Sequence, residues 1–80
     1  METFLGDIQL FPYNFTPRLW AKCTGQIIPI TNNEALYSLI GTNYGGDGRS
    51  TFGLPNLQGA EPMPGMEYYI ALQGDYPPRP

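Results

Sequence analysis

The stretch YGGDGRSTFGLPNLQG, from Tyr44 to Gly59, holds half of the ten glycines in this 80-residue chain. It lacks the hydrophobic periodicity of a helix or a strand, so it predicts an irregular loop. Adjacent glycines reach backbone conformations that other residues avoid, and an aspartate beside them can accept backbone N–H groups in an Asx-type turn. We therefore expect a structural loop that is packed down; its turn residues are Gly45, Gly46, Asp47, Gly48 and Arg49, and its anchors are Phe52, Leu54, Pro55 and Leu57.

The same glycines raise the question of a bound phosphate or metal ion, and their spacing favours neither. A P-loop needs a lysine after its last glycine and a helix that opens there, whereas Arg49 and a further irregular stretch follow Gly48. A calcium loop that began at Asn43 would need a glutamate at its twelfth position, where Leu54 stands. Zinc needs clustered cysteine and histidine, and the chain has one cysteine and no histidine. No metal and no cofactor are predicted.

Catalytic chemistry is equally unsupported by the sequence. Acid–base work at neutral pH usually uses histidine, which is absent, or paired carboxylates, which here are scattered along the chain. Cys23 is the one candidate nucleophile, but it lies in an apolar stretch with no obvious base, so a buried structural thiol is predicted. We expect no catalytic residues and no enzyme.

Composition limits the partners. The net charge is −3 and the four cations are spread out, so binding to nucleic acid or to an anionic membrane is not expected. The start, METFLGDIQL, resembles no secretory signal, and no apolar run is long enough to span a bilayer. We therefore expect synthesis in the cytoplasm without a signal peptide, and no membrane insertion. Only 14% of residues are charged, so part of the surface is expected to face a partner. With a single cysteine, oligomerisation is the remaining means of stabilising so small a domain.

The clearest local signal is ITNNEALYSLIG, residues 30–41. Thr31 and Glu34 have the spacing of a capping box, and Gly41 suits the left-handed position after a helix. These features predict a helix from Asn32 to Ile40. Short strands are predicted at GDIQL, WAKC, QIIPI and YYIALQG, with the second and third joined by a tight reversal at Thr24-Gly25.

The fold class that follows is α+β: a small, loop-rich domain with short β-strands and one short α-helix. In the last strand Tyr68, Ile70 and Leu72 are expected to face one way, and Tyr69 and Ala71 the other. Residues 1–75 are predicted to form one domain, and residues 76–80, YPPRP, an extended Pro-rich tail. Trp20 is expected in the core.

Exposed aromatic rings also suit carbohydrate, because their faces stack on the C–H faces of sugar rings. The predicted glycan contacts are Tyr44, Tyr68 and Tyr69. The alternative for each ring is packing in the core or in a protein interface.

Several motifs together resemble the phage tail collar domain, and most closely the group known as microcystin-dependent protein–like. They are G-[DE]-I at 6–8, F-x-P-x-x-W at 15–20, C-x-G-Q-x-x-P-I at 23–30, N-x-A-L-x-S-L-[IL]-G-T-x-Y-G-G-D-G at 33–48 and T-F-x-L-P-x-L-x-G at 51–59. The closing YYIALQG also resembles the end of that group. In longer relatives a long variable stretch separates these last two pieces, whereas here only a few residues do. The chain therefore resembles a minimal version of the collar module.

The resemblance implies a structural part of a phage tail or phage-derived particle, homotrimeric and near the tail tip or fibre. The implied partners are further copies of the chain, other tail or fibre proteins and a host receptor or glycan, and the implied location is the virion tail or an extracellular particle. Asp47 and Arg49 are then expected to form an ion pair within or between chains. The alternative function is a minimal adhesin that binds glycans through its loop tyrosines.

Overall fold

A computed structural model of the protein describes residues 3–13 and 15–77. The last three residues of the predicted tail, 78–80, lie outside the described residues. The elements in chain order are β1 (Ile8–Phe11), β2 (Trp20–Lys22), β3 (Ile27–Pro29), α1 (Glu34–Ile40), β4 (Thr51–Gly53) and β5 (Glu67–Ala71). The strands form one three-stranded and one two-stranded antiparallel sheet, which confirms the predicted α+β class.

The three-stranded sheet places β5 between β1 and β2. In its register Ile70 pairs with Ile8 on one side and with Ala21 on the other. Residues paired across antiparallel strands share a face, so these three side chains lie on the face that we call the core face. Tyr69 and Ala71 lie on the opposite face, as the alternation in the sequence predicts, yet both are fully buried. The sheet is therefore covered on both sides around β5.

The two-stranded sheet pairs β3 with β4, with Ile28 opposite Phe52 and Pro29 opposite Thr51. The predicted reversal at Thr24-Gly25 is wrong as a hairpin, because β2 and β3 belong to different sheets. Thr24 instead bridges Asn56, and the Gly25 N–H donates to the Pro55 carbonyl at 3.1 Å. The chain thus uses this corner to pass from one sheet to the other.

The helix begins at Glu34, two residues later than predicted, and the predicted capping box is wrong. Asn33 takes the N-cap position, and no side-chain hydrogen bond caps the helix there. The Asn33 side-chain amide donates instead to the Pro29 carbonyl at 3.0 Å, and Asn32 has a φ of 69°. The end of β3 therefore fixes how the chain enters α1. At the other end the Gly41 N–H donates to the Tyr37 carbonyl at 2.8 Å, and its φ of 57° is positive as expected of a closing glycine. Its ψ of −142° lies outside the left-handed helical region, so that part of the prediction is wrong.

One hydrophobic core joins the two sheets and the helix. Its fully or almost fully buried members come from the helix, from one strand of each sheet and from adjoining segments, and are Leu5, Cys23, Leu36, Phe52, Leu54 and Ile70. Leu5 is held in place by hydrogen bonds between the segments before β1 and after β5. Its N–H donates to the Asp75 carbonyl at 2.8 Å, and the Asp75 N–H donates to the Thr3 carbonyl at 3.0 Å. The segments before β1 and after β5 therefore close the domain together.

Candidate assembly surface

The glycine-rich loop is organised around the Asp47 carboxylate. Its Oδ1 atom accepts the backbone N–H groups of Arg49, Ser50 and Thr51 at 2.8, 3.0 and 3.0 Å. These hydrogen bonds favour the charged form and hold the pKa of Asp47 far below its usual range. The Asx-type turn expected from the sequence is therefore present, and the acid organises the loop backbone.

The expected ion pair between Asp47 and Arg49 does not form within the chain. Among residues 3–13 and 15–77 the salt bridge found is between Lys22 Nζ and Glu67 Oε1 at 3.9 Å. Arg49 contributes its backbone N–H to Asp47, and its side chain is exposed. The backbone hydrogen bonds already occupy the carboxylate, which explains how the loop holds its shape without the guanidinium.

Two glycines let the loop lie directly against β4. Gly46 has a φ of 90°, and a Cβ added there would collide with the Phe52 backbone and would lie 2.7 Å from the Thr51 carbonyl oxygen. Gly53 faces the loop in the same way, because a Cβ on it would collide with the Tyr44 carbonyl. The Gly53 N–H donates to Gly45 at 2.9 Å. The segment from Tyr44 to Gly48 thus covers the outer edge of β4.

The apolar anchors of this loop lie in the core. Phe52, Leu54 and Pro55 are buried, and Leu57 is half-buried. The Phe52 ring packs edge-on against Tyr37 with centroids 5.4 Å apart, and the Tyr37 hydroxyl donates to the Gly48 carbonyl at 3.2 Å. The loop is therefore fastened to α1 as well as to β4, and its anchors do not face an external partner.

A second feature, which the sequence reasoning missed, is a stack of aromatic rings on the face opposite the core face. Phe11 stacks on Tyr13 with centroids 5.3 Å apart, and Tyr13 stacks on Phe15 at 4.3 Å with ring planes only 9° apart. We call these three rings the aromatic column. Their spacing of two residues in FPYNF is the signal that was available in the sequence.

Tyr69 supports the aromatic column from beneath. Its ring is fully buried, and its hydroxyl donates to the carbonyls of Tyr13 and Phe15, each at 3.1 Å. Burial raises the pKa of Tyr69, with a smaller contribution from the Glu67 carboxylate. Trp20 packs edge-on against Phe11 at 5.3 Å and is half-buried. The expectation that Trp20 lies in the core is therefore wrong, because it covers the outer face of the sheet instead.

The three predicted glycan tyrosines do not come together. Tyr69 is fully buried, so it is wrong as a glycan contact. Tyr68 lies on the core face and is half-buried against the core cluster. Tyr44 is 51% exposed and lies in the loop next to Gly45, where an added Cβ would be 3.4 Å from Ile27 Cδ1. Of the three, Tyr44 alone presents a largely open ring.

Much large apolar surface stays in contact with solvent. Among residues 3–13 and 15–77, eight large hydrophobic side chains are at least 36% exposed, and they are Phe4, Ile8, Phe15, Leu19, Ile27, Tyr44, Met63 and Tyr76. Equally many hydrophobic residues of the described chain are buried, namely the six of the core together with Tyr69 and Ala71. Single exposed apolar side chains are ordinary, but eight among the described residues are a large share for so small a domain.

Other kinds of site find little support in the part of the chain that the structure describes. Cys23 is buried, and burial raises the pKa of its thiol to about 11, so it is a structural side chain as predicted. Within the described residues no group of three or more acidic, cysteine or histidine side chains is placed to hold a metal ion. In the same residues no helix is long and apolar enough to cross a membrane.

Comparison with known proteins identifies the architecture. The profile of the family described as Phage Tail Collar Domain matches residues 6–62, which include every element except β5. Neither the curated proteins nor the solved structures give a match. The matched region runs from the start of β1, through the helix and the Asp47 loop, to the turn that precedes β5. The chain belongs to the phage tail collar domain family.

Proposed function

We propose that this protein is a homotrimeric collar module at the tip or fibre of a phage tail or of a phage-derived particle. Family membership indicates a structural role in a phage tail. The observation that carries the finer proposal is the set of eight large hydrophobic side chains exposed in the described part of a domain with few charges. Such a surface is costly to leave in water and is stabilised when it is buried against neighbouring chains.

A closed ring of identical chains suits this surface. The exposed side chains come from both sheets, from the loop before β4 and from the segment after β5. A stable interface buries about 800 Å² on each partner, which exceeds what one or two of these side chains supply. A cyclic assembly presents two different patches of each chain to its two neighbours and so uses more of them. The fixed shape of the Asp47 loop would then position the surface around Tyr44 and Ile27.

In the particle the trimer would contact other tail or fibre proteins and support fibre assembly or host attachment. Its place is then the virion tail or the released particle. The proposed partners are other tail or fibre proteins and surface groups of the host. The proposal gives no role to nucleic acid or to insertion into a membrane.

The direct test is the mass of the purified chain in solution. Sedimentation velocity over 1–100 µM, a range chosen to bracket the affinities common among stable complexes, should give three times the 8.9 kDa of one chain. Ile27→Lys should shift the protein towards monomer, whereas Thr42→Lys, at an exposed polar site, should not. A wild-type monomer across the whole range would contradict the trimer. Antibody labelling of assembled particles should then mark the tail, and its absence from particles would contradict the structural role.

A glycan-binding adhesin is the second proposal, and the open Tyr44 ring favours it. It expects saturable binding on a glycan array that Tyr44→Ser removes and that Met63→Ser, a change at an exposed side chain outside this loop, leaves intact. An array without any signal would contradict it.

A further inference from the structure

The aromatic column ends in an open ring that the fold holds in place. Tyr13 covers one side of Phe15 at a centroid distance of 4.3 Å, yet Phe15 remains 65% exposed, so its other side faces solvent. The two hydrogen bonds from the Tyr69 hydroxyl fix the backbone on either side of this ring. A ring that is held in position loses little conformational freedom when it binds a partner.

The chemistry of such a surface suits a proline-rich segment. Segments of this kind adopt the extended polyproline helix without help, and they dock on exposed aromatic rings with little loss of entropy. This chain carries one, since Pro77, Pro78, Arg79 and Pro80 follow Tyr76. The surface beside the column also offers a partly exposed acid, because Glu67 pairs with Phe11 in the register and lies on the same face, where its Oε1 atom is 3.9 Å from Lys22 Nζ. Arg79 would share this carboxylate with Lys22.

The geometry favours docking on another copy of the chain. After β5, Gly74 and Asp75 lie near Leu19 and Trp20. These four residues line part of one shallow cleft. Tyr76 then bonds to α1, its hydroxyl lying 2.9 Å from Ser38 Oγ. The helix packs on the core face of the sheet, whereas the aromatic column lies on the opposite face. Four residues in a polyproline helix span only about 12 Å, and from α1 they would have to turn back around the sheet.

We propose that residues 77–80 of one copy dock on the aromatic column of a second copy, with proline rings against Phe15 and Arg79 near Glu67. This assignment rests on the homo-oligomer proposed above and names its contact. Each copy then gives a segment to one neighbour and receives one from the other. A contact of this head-to-tail kind closes into a ring when the rotation fits, and three copies make the smallest such ring in which the two neighbours differ.

The experiment compares two exposed positions in the full chain. Phe15→Ser removes the open ring, and Gln58→Ser is the control, because Gln58 is exposed and polar and lies outside both the column and the set of exposed hydrophobic side chains. In sedimentation velocity the Phe15 change should raise the concentration at half-assembly at least tenfold. The Gln58 change should leave it within about twofold, as expected for surface substitutions away from such contacts. The double change Pro78→Gly and Pro80→Gly should act like Phe15→Ser.

A peptide titration tests the contact independently of assembly. The peptide YPPRP should compete with the chain's own segment and bind the wild type saturably, and YGGRG should not. Trp20 is the single tryptophan and touches Phe11, so its fluorescence reports the binding. Phe15→Ser should abolish the signal, and Gln58→Ser should keep it.

The outcomes separate this contact from the trimer itself. A trimer that persists in every variant overturns the contact and leaves the proposed assembly standing. A wild type that is monomeric at all concentrations overturns the assembly, and saturable peptide binding lost in Phe15→Ser would then still support the docking chemistry. A wild-type monomer whose Trp20 fluorescence responds to the two proline changes would show docking within one chain and overturn exchange between copies. Binding of a glycan at Phe15 with no effect of the peptide would also overturn it.

Discussion

The close approach of Gly46 to the backbone of β4 predicts that Gly46→Ala lowers the free energy of unfolding. The residue has a φ of 90°, where a side chain costs about 1–2 kcal/mol, and its Cβ would also meet the Phe52 backbone. Backbone cannot move aside as the end of a flexible side chain can, so we add the cost of overpacking, about 1–3 kcal/mol. Against a total stability of about 4–12 kcal/mol for 80 residues, the loss of about 2–5 kcal/mol is severe.

Gly65→Ala is the matched control for that change. Gly65 has a φ of 83° and nothing within 4 Å of an added Cβ, so it bears the backbone cost alone. Urea titrations followed by circular dichroism should show Gly46→Ala losing at least 1 kcal/mol more than Gly65→Ala, since overpacking adds at least that much. In thermal melts that difference is about 4–8 °C or more. Equal losses in the two variants would refute the close packing of the loop on β4, and a Gly46 variant that does not fold at all still exceeds the control.

Three further predictions concern the buried and hydrogen-bonded polar groups. The pKa of Asp47 lies far below its usual value in the folded chain, so its contribution to stability is present above about pH 4 and is lost as the pH falls below that. Asp47→Asn should therefore lower the urea midpoint at pH 7 and flatten its fall between pH 5 and pH 2, and an unchanged acid slope would contradict this. Cys23 is buried, and burial raises the pKa of its thiol to about 11. At pH 8 iodoacetamide should therefore label Cys23 only at the rate at which the chain unfolds. Rapid labelling of the native chain would contradict this, because it would show the thiol to be accessible. Tyr69→Phe leaves the Tyr13 and Phe15 carbonyls without their shared donor, so the free energy of unfolding from urea titration should fall by about 1–3 kcal/mol. A fall below about 0.5 kcal/mol, the lower end for one hydrogen bond, would contradict the supporting role of Tyr69.

The sequence predicts those parts of the fold that short-range patterns control. Alternation in YYIALQG gives the two faces of β5 correctly, and apolar spacing gives the body of α1 together with its closing glycine. The start of the helix is wrong because Thr31 and Glu34 satisfy a local pattern that a distant contact overrides. The hydrogen bond from Asn33 to the end of β3 takes that place.

The missed elements depend on contacts between distant residues. β4 is only three residues long and contains Gly53, so it has no readable alternation, and its pairing with β3 and with the glycine loop makes it a strand. Tyr69 is on the predicted face but is buried, because the loop that carries Tyr13 and Phe15 folds over it. For the Asp47 loop the sequence supplied the turn chemistry. That the carboxylate accepts three backbone N–H groups, and does not pair with the Arg49 guanidinium, follows only from the folded loop.

The placement of β5 explains why the core does not depend on the length of the connection between Leu57 and Glu67. Before the connection, the Leu57 N–H donates to the Cys23 carbonyl at 2.8 Å; after it, Glu67 enters the register opposite Phe11. Both ends are thus fixed by contacts that do not involve the residues between them, and those residues are largely exposed. Closing a loop costs only about 0.6 kcal/mol more for each doubling of its length, so a stretch four times as long would add about 1.2 kcal/mol. The collar core therefore tolerates a short or a long connection at this point, whereas the Asp47 loop, packed backbone to backbone on β4 at Gly46 and Gly53, tolerates no such change.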